Sequence, residues 1–254
     1  MKLNGFERYL KNLLNPDNNP VKDPHANGLQ VRGKEDVLQV AFGVSASMEF
    51  FYRAYEWGAD ACIVHHGLDF YAHKNCIPDT VFHNRLKFLF QNDMSLFGFH
   101  YLLDSHKEVG NSATVLEILN MKPDFPFGHY DGTAWGWGGN LKKPTNLDDV
   151  YPQVNDLFYG NATLYAFGNK EISTIGIVTG SGAFSINEAR EKNIDLIITG
   201  DVKEGTQELC RELEINLIFG GHYITETFGV KALMESVKYD LGLQTEYFDI
   251  TNRS

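Results

Sequence analysis

The alternation of apolar and polar positions predicts a strand–helix–strand unit in the first third of the chain. Residues 37–44 form an apolar run of strand-forming residues, followed by a short turn at residues 45–47. Apolar residues then recur at helical spacing over residues 48–58, and residues 61–64 return to the pattern of a buried strand. This second strand leads directly into two adjacent histidines.

The same order of elements recurs in the second half of the chain, at an offset of about 135 residues. Strands are predicted at residues 172–178 and 195–198, with a helix at residues 185–192 between them. We therefore expect a duplication in which the strand tips have diverged. The aligned pairs are Asp60 with Asp195, His65 with Gly200, and His66 with Asp201.

The remaining segments fit around this repeat. Residues 6–14 have helical spacing, and the stretch that follows, residues 15–28, is rich in proline and asparagine and predicts turns. Residues 123–165 are rich in glycine and aromatic residues and predict a crossover with short strands. Alternating strands and helices are typical of α/β proteins with mostly parallel or mixed sheets. The expected segments are a first half at 1–122, a crossover at 123–170 and a second half at 171–254.

Two similar motifs place a histidine four residues before a carboxylate. FGFHYLLD contains His100 and Asp104, and FGGHYITE contains His222 and Glu226. Residues four apart share a face of a helix, so each pair is able to point at one ligand. One H-x-x-x-E is common by chance and more often marks a surface pair, but a second copy favours a metal-ligand pattern.

The adjacent His65 and His66 add two imidazoles. Neighbouring residues of a regular strand point to opposite faces, so both reach one site only if the strand ends there, which Gly67 permits. Taken alone, two adjacent histidines are equally well explained by one functional histidine and one histidine packed in the core. In the company of the two repeated motifs, the pair favours a site for two divalent metals, because mixed histidine and carboxylate ligands suit such sites.

Composition and charge narrow the protein class. The 254 residues are 43% hydrophobic and carry a net charge of −11, which disfavours nucleic acid as the main partner. Cys62, Cys76 and Cys210 form no Cys-x-x-Cys pair, so neither a disulfide framework nor a zinc knuckle is expected. The sequence shows no signal-peptide core and no apolar run long enough to span a membrane, so we expect a cytoplasmic protein.

Other candidate sites are weaker. The turn TGSG at residues 179–182 lacks the spacing of a dinucleotide or Walker fingerprint, and a structural turn with Ser185 as the helix N-cap fits better. No serine or cysteine lies in a nucleophile-elbow motif, which disfavours covalent catalysis. Most of the histidines in polar loops or on helix surfaces are expected to be solvated, namely His25, His73, His83, His106 and His129.

Five motifs, in this order, resemble the GTP cyclohydrolase I type 2-like family, the NIF-three-like dinuclear-metal proteins. The resemblance covers nearly the whole chain, and the terminal FDITN also fits the family's ending. The five motifs are NGLQVRG from Asn27, IVHHG from Ile63, HYLLDSHKEVGNSA from His100, TGDVKEG from Thr199 and GHYITETFGVKAL from Gly221.

The resemblance implies two intertwined α/β halves with mixed sheets, a toroidal homohexamer, and two divalent metal ions facing an internal cavity. Glu226 is expected to bridge the ions, with His66 and Asp104 on one and His65 and His222 on the other. Such ligands accept zinc, iron, manganese or nickel. The implied metal ligands are His65, His66, Asp104, His222 and Glu226.

His100 is expected to orient Asp104 or a bound water, with direct metal ligation left open, so His100 and Glu226 are the candidate catalytic residues. Two positions depart from the family pattern. Ser45 stands where relatives often carry an acidic residue, and Glu204 follows Lys203 in a segment where they often carry a histidine. We expect Asp69 to be exposed at the surface and not to be a ligand.

The resulting hypothesis is a metal-dependent hydrolase in which two cations activate a water for attack on a nucleotide or phosphorylated small molecule. GTP is the substrate that the family name suggests. The alternative, from another class, is a non-catalytic metal-binding ring that acts as a scaffold for protein or DNA.

Overall fold

A computed structural model describes residues 1–14, 23–68 and 80–252. Asp69, His73, Cys76 and most of the turn-rich stretch at residues 15–28 lie outside the described residues. The chain folds into two compact units. Unit 1 comprises Met1–Leu103 and Val230–Thr251, and unit 2 comprises Asp104–Gly229 with Asn252–Ser254. The predicted segments 1–122, 123–170 and 171–254 describe the sequence repeat, and that division stays a prediction.

Helices and strands alternate along the described residues, which confirms the predicted α/β class. In chain order they are α1 (Leu3–Leu14), β1 (Gly28–Val31), β2 (Gln39–Ser45), α2 (Met48–Trp57), β3 (Ala61–His66), α3 (Thr80–Gln91), β4 (Ser95–Gly98), α4 (Tyr101–Asp104), α5 (Asn111–Ile118), β5 (Phe125–Tyr130), β6 (Thr133–Asn146), α6 (Leu147–Leu157), β7 (Thr163–Ala166), β8 (Glu171–Val178), a 3₁₀ turn (Gly182–Ser185), α7 (Ile186–Glu191), β9 (Leu196–Thr199), α8 (Thr206–Glu212), β10 (Asn216–Phe219), α9 (His222–Thr225), α10 (Thr227–Leu241) and β11 (Gln244–Tyr247).

Each unit is built on one mixed sheet. In unit 1 the strand order is β1-β4-β3-β2-β11, with β1 antiparallel to β4 and the other pairs parallel. In unit 2 the order is β5-β6-β8-β9-β10-β7, with a parallel centre of β8, β9 and β10. Three parallel strands therefore lie at the heart of each sheet, and their carboxyl ends are where ligands bind in open α/β sheets.

The predicted duplication is visible in the hydrogen bonds of the strands. Asp60 accepts the backbone N–H groups of Leu38 and Gln39 through Oδ2. Asp195 does the same for Ser173 and Thr174. Both carboxylates thus tie the start of the central strand to its neighbour, and the offset equals the one found in the sequence.

The repeat slips by one residue after the third parallel strand. The N–H of Phe99 donates to the carbonyl of Val64, and the equivalent bond in unit 2 runs from Gly220 to Thr199. His100 is therefore the first residue after this bond, whereas His222 is the second. Gly221, at a φ of 99°, takes up the extra residue in a backbone region that favours glycine.

Local signals explain most element boundaries. Ser47 caps α2, its hydroxyl accepting the N–H of Phe50, and Gly58 ends the helix at a φ of 93°. Ser185 does not cap α7 as predicted, because its hydroxyl donates to the carbonyl of Gly182. The described residues include no helix long and apolar enough to cross a membrane.

Apolar side chains cover both faces of the two sheets. In unit 1 the described residues include a cluster around Phe50, Phe51 and Leu96 on one face of the sheet, and Phe42 and Phe97 are buried on the other. In unit 2 they form two clusters, one around Phe158 and Ile175 and one around Phe127. Close-packed cores of this kind hold the strand ends rigid, so the polar side chains that follow the strands are placed by the fold.

Candidate functional site

Three histidines lie at the carboxyl ends of adjacent strands in unit 1. His65 and His66 are the last two residues of β3, and His100 follows β4. All three are buried, at 0%, 6% and 6% exposure. Their ring centroids are 4.7 Å apart for His65 and His66, 5.0 Å for His65 and His100, and 5.5 Å for His66 and His100. One ligand nitrogen from each ring lies within 4.8 Å of the others, so this imidazole cluster is able to surround a cation.

The end of β3 explains how two adjacent histidines reach one place. The ladder with β2 ends at His66, and Gly67 continues outside the strand. A side chain on Gly67 would collide with the amide of Gln30, 2.2 Å from the ideal Cβ position. The predicted strand ending is thus confirmed, and a side chain at position 67 would displace the amide end of the flexible Gln30 side chain.

Both histidines of β3 use Nδ1 to hold the ring in place. Nδ1 of His65 lies 2.9 Å from the carbonyl oxygen of Phe99, so this nitrogen carries the hydrogen. Nδ1 of His66 lies 3.1 Å from the hydroxyl of Ser45. Ser45, which departs from the family pattern, therefore serves as a neutral partner of a predicted ligand. With Nδ1 engaged, Nε2 is the nitrogen through which each ring would bind a metal.

His100 is held by a carboxylate. Its Nδ1 lies 3.2 Å from Oδ1 of Asp23, and both side chains are buried, at 8% and 4% exposure. The other oxygen of Asp23 accepts the N–H of Tyr101 and the side-chain amide of Asn27. Burial raises the pKa of Asp23, but the hydrogen bonds from His100 and Asn27 outweigh burial and lower it below its usual range.

His25 is not the solvated histidine that the sequence predicted. It is half-buried, and its ring packs edge-on against His100 at a centroid distance of 4.7 Å. Atoms of Asp23, His25 and His100 lie within 4.8 Å of one another and form a second group that resembles a metal site. The prediction failed because the turn-rich segment carries no periodicity that reports burial.

In unit 2, the repeated His222 and Glu226 meet as predicted. The four-residue α9 places Nε2 of His222 2.9 Å from Oε1 of Glu226. On the other side of the ring, Nδ1 lies 2.7 Å from Oδ2 of Asp201. Asp201 also accepts the hydroxyl of Ser181 at 3.1 Å. His222 is thus held between two carboxylates.

This arrangement favours a positive charge on the ring. Burial lowers the pKa of His222, but the hydrogen bonds and charges of Asp201 and Glu226 outweigh burial and raise it to about 10. The hydrogen bond from His222 in turn lowers the pKa of Asp201.

Asp104, the remaining predicted ligand, is fixed by buried neighbours within unit 2. Its Oδ1 accepts the side-chain amide of Asn111 at 2.8 Å and the hydroxyl of Thr179 at 3.1 Å. Asn111 is fully buried and also accepts the N–H of Gly229 at 2.6 Å. These bonds hold one carboxylate oxygen in a defined direction, as expected for a ligand carboxylate.

Gly180, in the turn after β8, leaves room for the His222–Glu226 pair. An ideal Cβ on Gly180 would lie 2.5 Å from Oε1 of Glu226 and 3.1 Å from Nε2 of His222. The glycine backbone also accepts the N–H groups of Gly200 and Asp201, which joins the strand ends of unit 2. The TGSG turn therefore shapes the polar site, a role that the sequence did not indicate.

These residues fit divalent metals. Four imidazoles are each held through Nδ1, by a carbonyl, a hydroxyl or a carboxylate, which is the usual support of metal-bound histidines. Carboxylates complete the donor set, and mixed nitrogen and oxygen ligands suit zinc, iron, manganese or nickel. The donor chemistry thus agrees with the group that the resemblance implies.

Four supporting residues escaped the sequence reasoning, namely Asp23, Asn111, Thr179 and Asp201. The sequence repeat could have identified Asp201 as a site residue, because Asp201 aligns with His66. Asn111 lies within the motif HYLLDSHKEVGNSA, but in the sequence it cannot be distinguished from an ordinary polar residue at the start of a helix. Asp23 and Thr179 contact their partners across 77 and 75 residues, a separation that no local pattern reports.

Known proteins resemble the chain over almost its whole length. It is 37% identical over 250 residues to a GTP cyclohydrolase 1 type 2 homolog from Archaeoglobus fulgidus, covering 98% of both chains. A protein of the same name from Pyrococcus abyssi is 39% identical over 228 residues, covering 89% of this chain and 90% of the relative.

Solved structures give the same result. Protein ybgI, of unknown function, is 31% identical with a TM-score of 0.88 over 100% of both chains. A Thermus thermophilus protein gives the same identity and TM-score over 99% of both chains. The family model Duf34/NIF3 (NGG1p interacting factor 3) matches residues 1–253. The predicted resemblance is confirmed, and the chain belongs to the Duf34/NIF3 family.

Proposed function

We propose that this protein is a divalent-metal-dependent hydrolase that holds two ions per chain and acts on a nucleotide or another phosphorylated small molecule. The proposed ligands are His65 and His66 from unit 1 and Asp104, His222 and Glu226 from unit 2. The observation that carries the proposal is the way in which the fold fixes each imidazole through Nδ1. With Nδ1 held in this way, Nε2 is the nitrogen of each ring that would bind an ion.

When bound, the two ions would supply Lewis acidity and would lower the pKa of a water toward neutrality. The protein's own residues hold and orient the ligand side chains. Asn111 and Thr179 hold one oxygen of Asp104, and Phe99 and Ser45 hold the rings of His65 and His66.

His100 is the proposed proton-transfer residue. Its Nδ1 faces the carboxylate of Asp23, which fixes the ring and favours a proton on that nitrogen. Nε2 is then the atom that exchanges a proton with substrate or water. Glu226, almost fully buried, would be the ligand shared by the two ions.

The substrate class rests on the relatives' name and on charge. Proteins named GTP cyclohydrolase 1 type 2 homolog are 37% and 39% identical to this chain, so GTP is the first substrate to test. An acidic protein with a net charge of −11 repels phosphate except where bound cations neutralise it. A metal pair would provide that neutralisation and would direct a phosphorylated molecule to the site.

Metal content tests the ligand assignment. Protein purified without added metal and then loaded with zinc, manganese, iron or nickel should hold two ions per chain by elemental analysis. Glu226→Ala should lose both ions, whereas Asp104→Ala should retain one. Two tightly held ions in Glu226→Ala would contradict the bridging role.

Turnover tests the hydrolase. Metal-loaded protein would be offered GTP, other nucleotides and simple phosphate esters, with ring opening followed by ultraviolet absorbance and ester cleavage by free phosphate. His65→Ala should abolish metal-dependent turnover and leave the circular dichroism spectrum unchanged. An absence of turnover combined with salt-sensitive DNA binding would favour the scaffold instead.

We further propose a homohexamer, the assembly that the family resemblance implies. Light scattering should give roughly six times the chain mass of 28.7 kDa. A monomer at micromolar concentration would contradict the assembly and leave the metal ligands unaffected.

A further inference from the structure

The two copies of the repeat carry different residue types at one aligned position. His66 ends β3 in unit 1, and the aligned residue after β9 in unit 2 is Asp201. Relative to its strand, His222 also lies one residue farther along than His100 does, as the strand-end hydrogen bonds show. The second copy therefore replaces an imidazole by a carboxylate and moves its motif histidine at the same time.

The carboxylate and the displaced histidine meet. Oδ2 of Asp201 lies 2.7 Å from Nδ1 of His222, a short distance typical of a charge-assisted hydrogen bond. The hydroxyl of Ser181 donates to the same oxygen, which fixes the carboxylate in turn. The ring of His222 is held by Asp201 at one nitrogen and faces Glu226 with the other.

The first copy reaches the same arrangement by another route. Nδ1 of His100 faces Oδ1 of Asp23, a residue that lies in the loop before β1 and has no equivalent in the second copy's strand tips. Each motif histidine thus has a carboxylate at Nδ1, although the carboxylates come from unrelated positions. A contact that arises twice from different parts of the chain points to a requirement of the histidine itself.

We infer that Asp201 is a positioning residue for metal binding: it holds Nδ1 of His222 so that Nε2 faces the ion. The inference rests on the proposed function, since it assigns Asp201 a role toward the ligand His222. A carboxylate behind a metal-bound imidazole fixes the tautomer and raises the basicity of the ligand nitrogen. Removal of such a partner typically weakens metal binding by about 10- to 100-fold.

The experiment measures metal affinity, not activity. Wild-type protein, Asp201→Ala and Asp201→Asn would be stripped with a chelator and titrated with zinc against a competing chromophoric chelator. Asp156→Ala, an exposed carboxylate on α6, removes the same charge away from the histidine and serves as the matched control. Circular dichroism checks that each variant is folded.

Asp201→Ala should bind one ion about 10- to 100-fold more weakly than wild type, with Asp156→Ala within about twofold of wild type. Asp201→Asn should recover much of the affinity, because its side-chain oxygen still accepts the hydrogen of Nδ1. Absorption of the cobalt-loaded proteins should keep its intensity, because the number of ligands on each ion is unchanged.

Three results would overturn the inference and leave the proposed function standing. Equal affinity of wild type and Asp201→Ala would show that the contact does not support the ligand. Equal weakening in Asp201→Ala and Asp156→Ala would show a general effect of charge. A loss of cobalt absorption intensity in Asp201→Asn would make Asp201 a direct ligand. A wild-type protein that binds no metal would instead overturn the proposed function and this inference together.

Discussion

Replacement of Gly180 by alanine tests whether the structure places Glu226 and His222 correctly. The added Cβ would lie 2.5 Å from Oε1 of Glu226, whereas ordinary contacts to a Cβ begin at 3.4 Å. The carboxylate is the end of a flexible side chain, so it would move by about 1 Å without forcing the backbone apart. Directed away from Nε2 of His222, which is now 2.9 Å from Oε1, a displacement of that size takes the two atoms beyond hydrogen-bond distance.

The cost has two parts. Gly180 has a φ of 59°, and an alanine in this left-handed region costs roughly 1–2 kcal/mol. Loss of the hydrogen bond between Glu226 and His222 adds about 1.5–3 kcal/mol, the range for bonds to charged groups. We therefore expect Gly180→Ala to lower the free energy of unfolding by about 2.5–5 kcal/mol.

The variant Gly160→Ala measures the backbone cost without the loss of a hydrogen bond. Gly160 has a φ of 77°, and no atom lies within 4 Å of its ideal Cβ position. This variant should therefore show only the backbone cost of about 1–2 kcal/mol. Urea unfolding of the metal-free proteins, followed by tryptophan fluorescence, measures both differences. Equal destabilisation of Gly180→Ala and Gly160→Ala would refute the placement of Glu226 beside Gly180.

Two further predictions concern stability alone. Asn111→Ala should lower the free energy of unfolding by about 2–3 kcal/mol because it strands the buried N–H of Gly229, whereas exposed Asn187→Ala should change it little in the same urea assay. Burial raises the pKa of Glu188, but hydrogen bonds from Lys192 and His129 outweigh burial and lower it, so its stabilisation is complete above the unfolded pKa and lost as pH falls through the folded one. The melting temperature of Glu188→Gln should lie below wild type at pH 7 and converge with it as the pH falls through the lowered pKa of Glu188, whereas the exposed control Glu191→Gln should change the melting temperature at pH 7 little.

The sequence predicted the parts of the fold that depend on local burial. The amphipathic α1 buries Leu3, Phe6, Leu10 and Leu14 on one face, and this spacing alone indicates a helix. The parallel strands β2, β3, β8 and β9 appear within a few residues of their predicted bounds because each is a short apolar run between turn signals. The crossover was harder to predict, since the long β6 alternates irregularly and contains the run KKPT at residues 142–145, which resembles a loop.

The candidate site divides in the same way. The paired histidines at a strand end and the repeated His-x-x-x-carboxylate motif were visible as residue types at fixed spacing. The supporting contacts were not visible, because they join residues far apart in the chain. The partner of His222 is Asp201, 21 residues away, and the partner of His100 is Asp23, 77 residues away.

The sequence by itself indicated the candidate metal ligands and the presence of two related copies of an α/β unit. Spacing and periodicity suffice for this, since they report which side chains share a strand tip or a helix face. Only the tertiary structure decided the direction of each ring and the one-residue slip at Gly221. Those features depend on how distant strand ends and loops pack against one another, and no local pattern of apolar and polar residues encodes that packing.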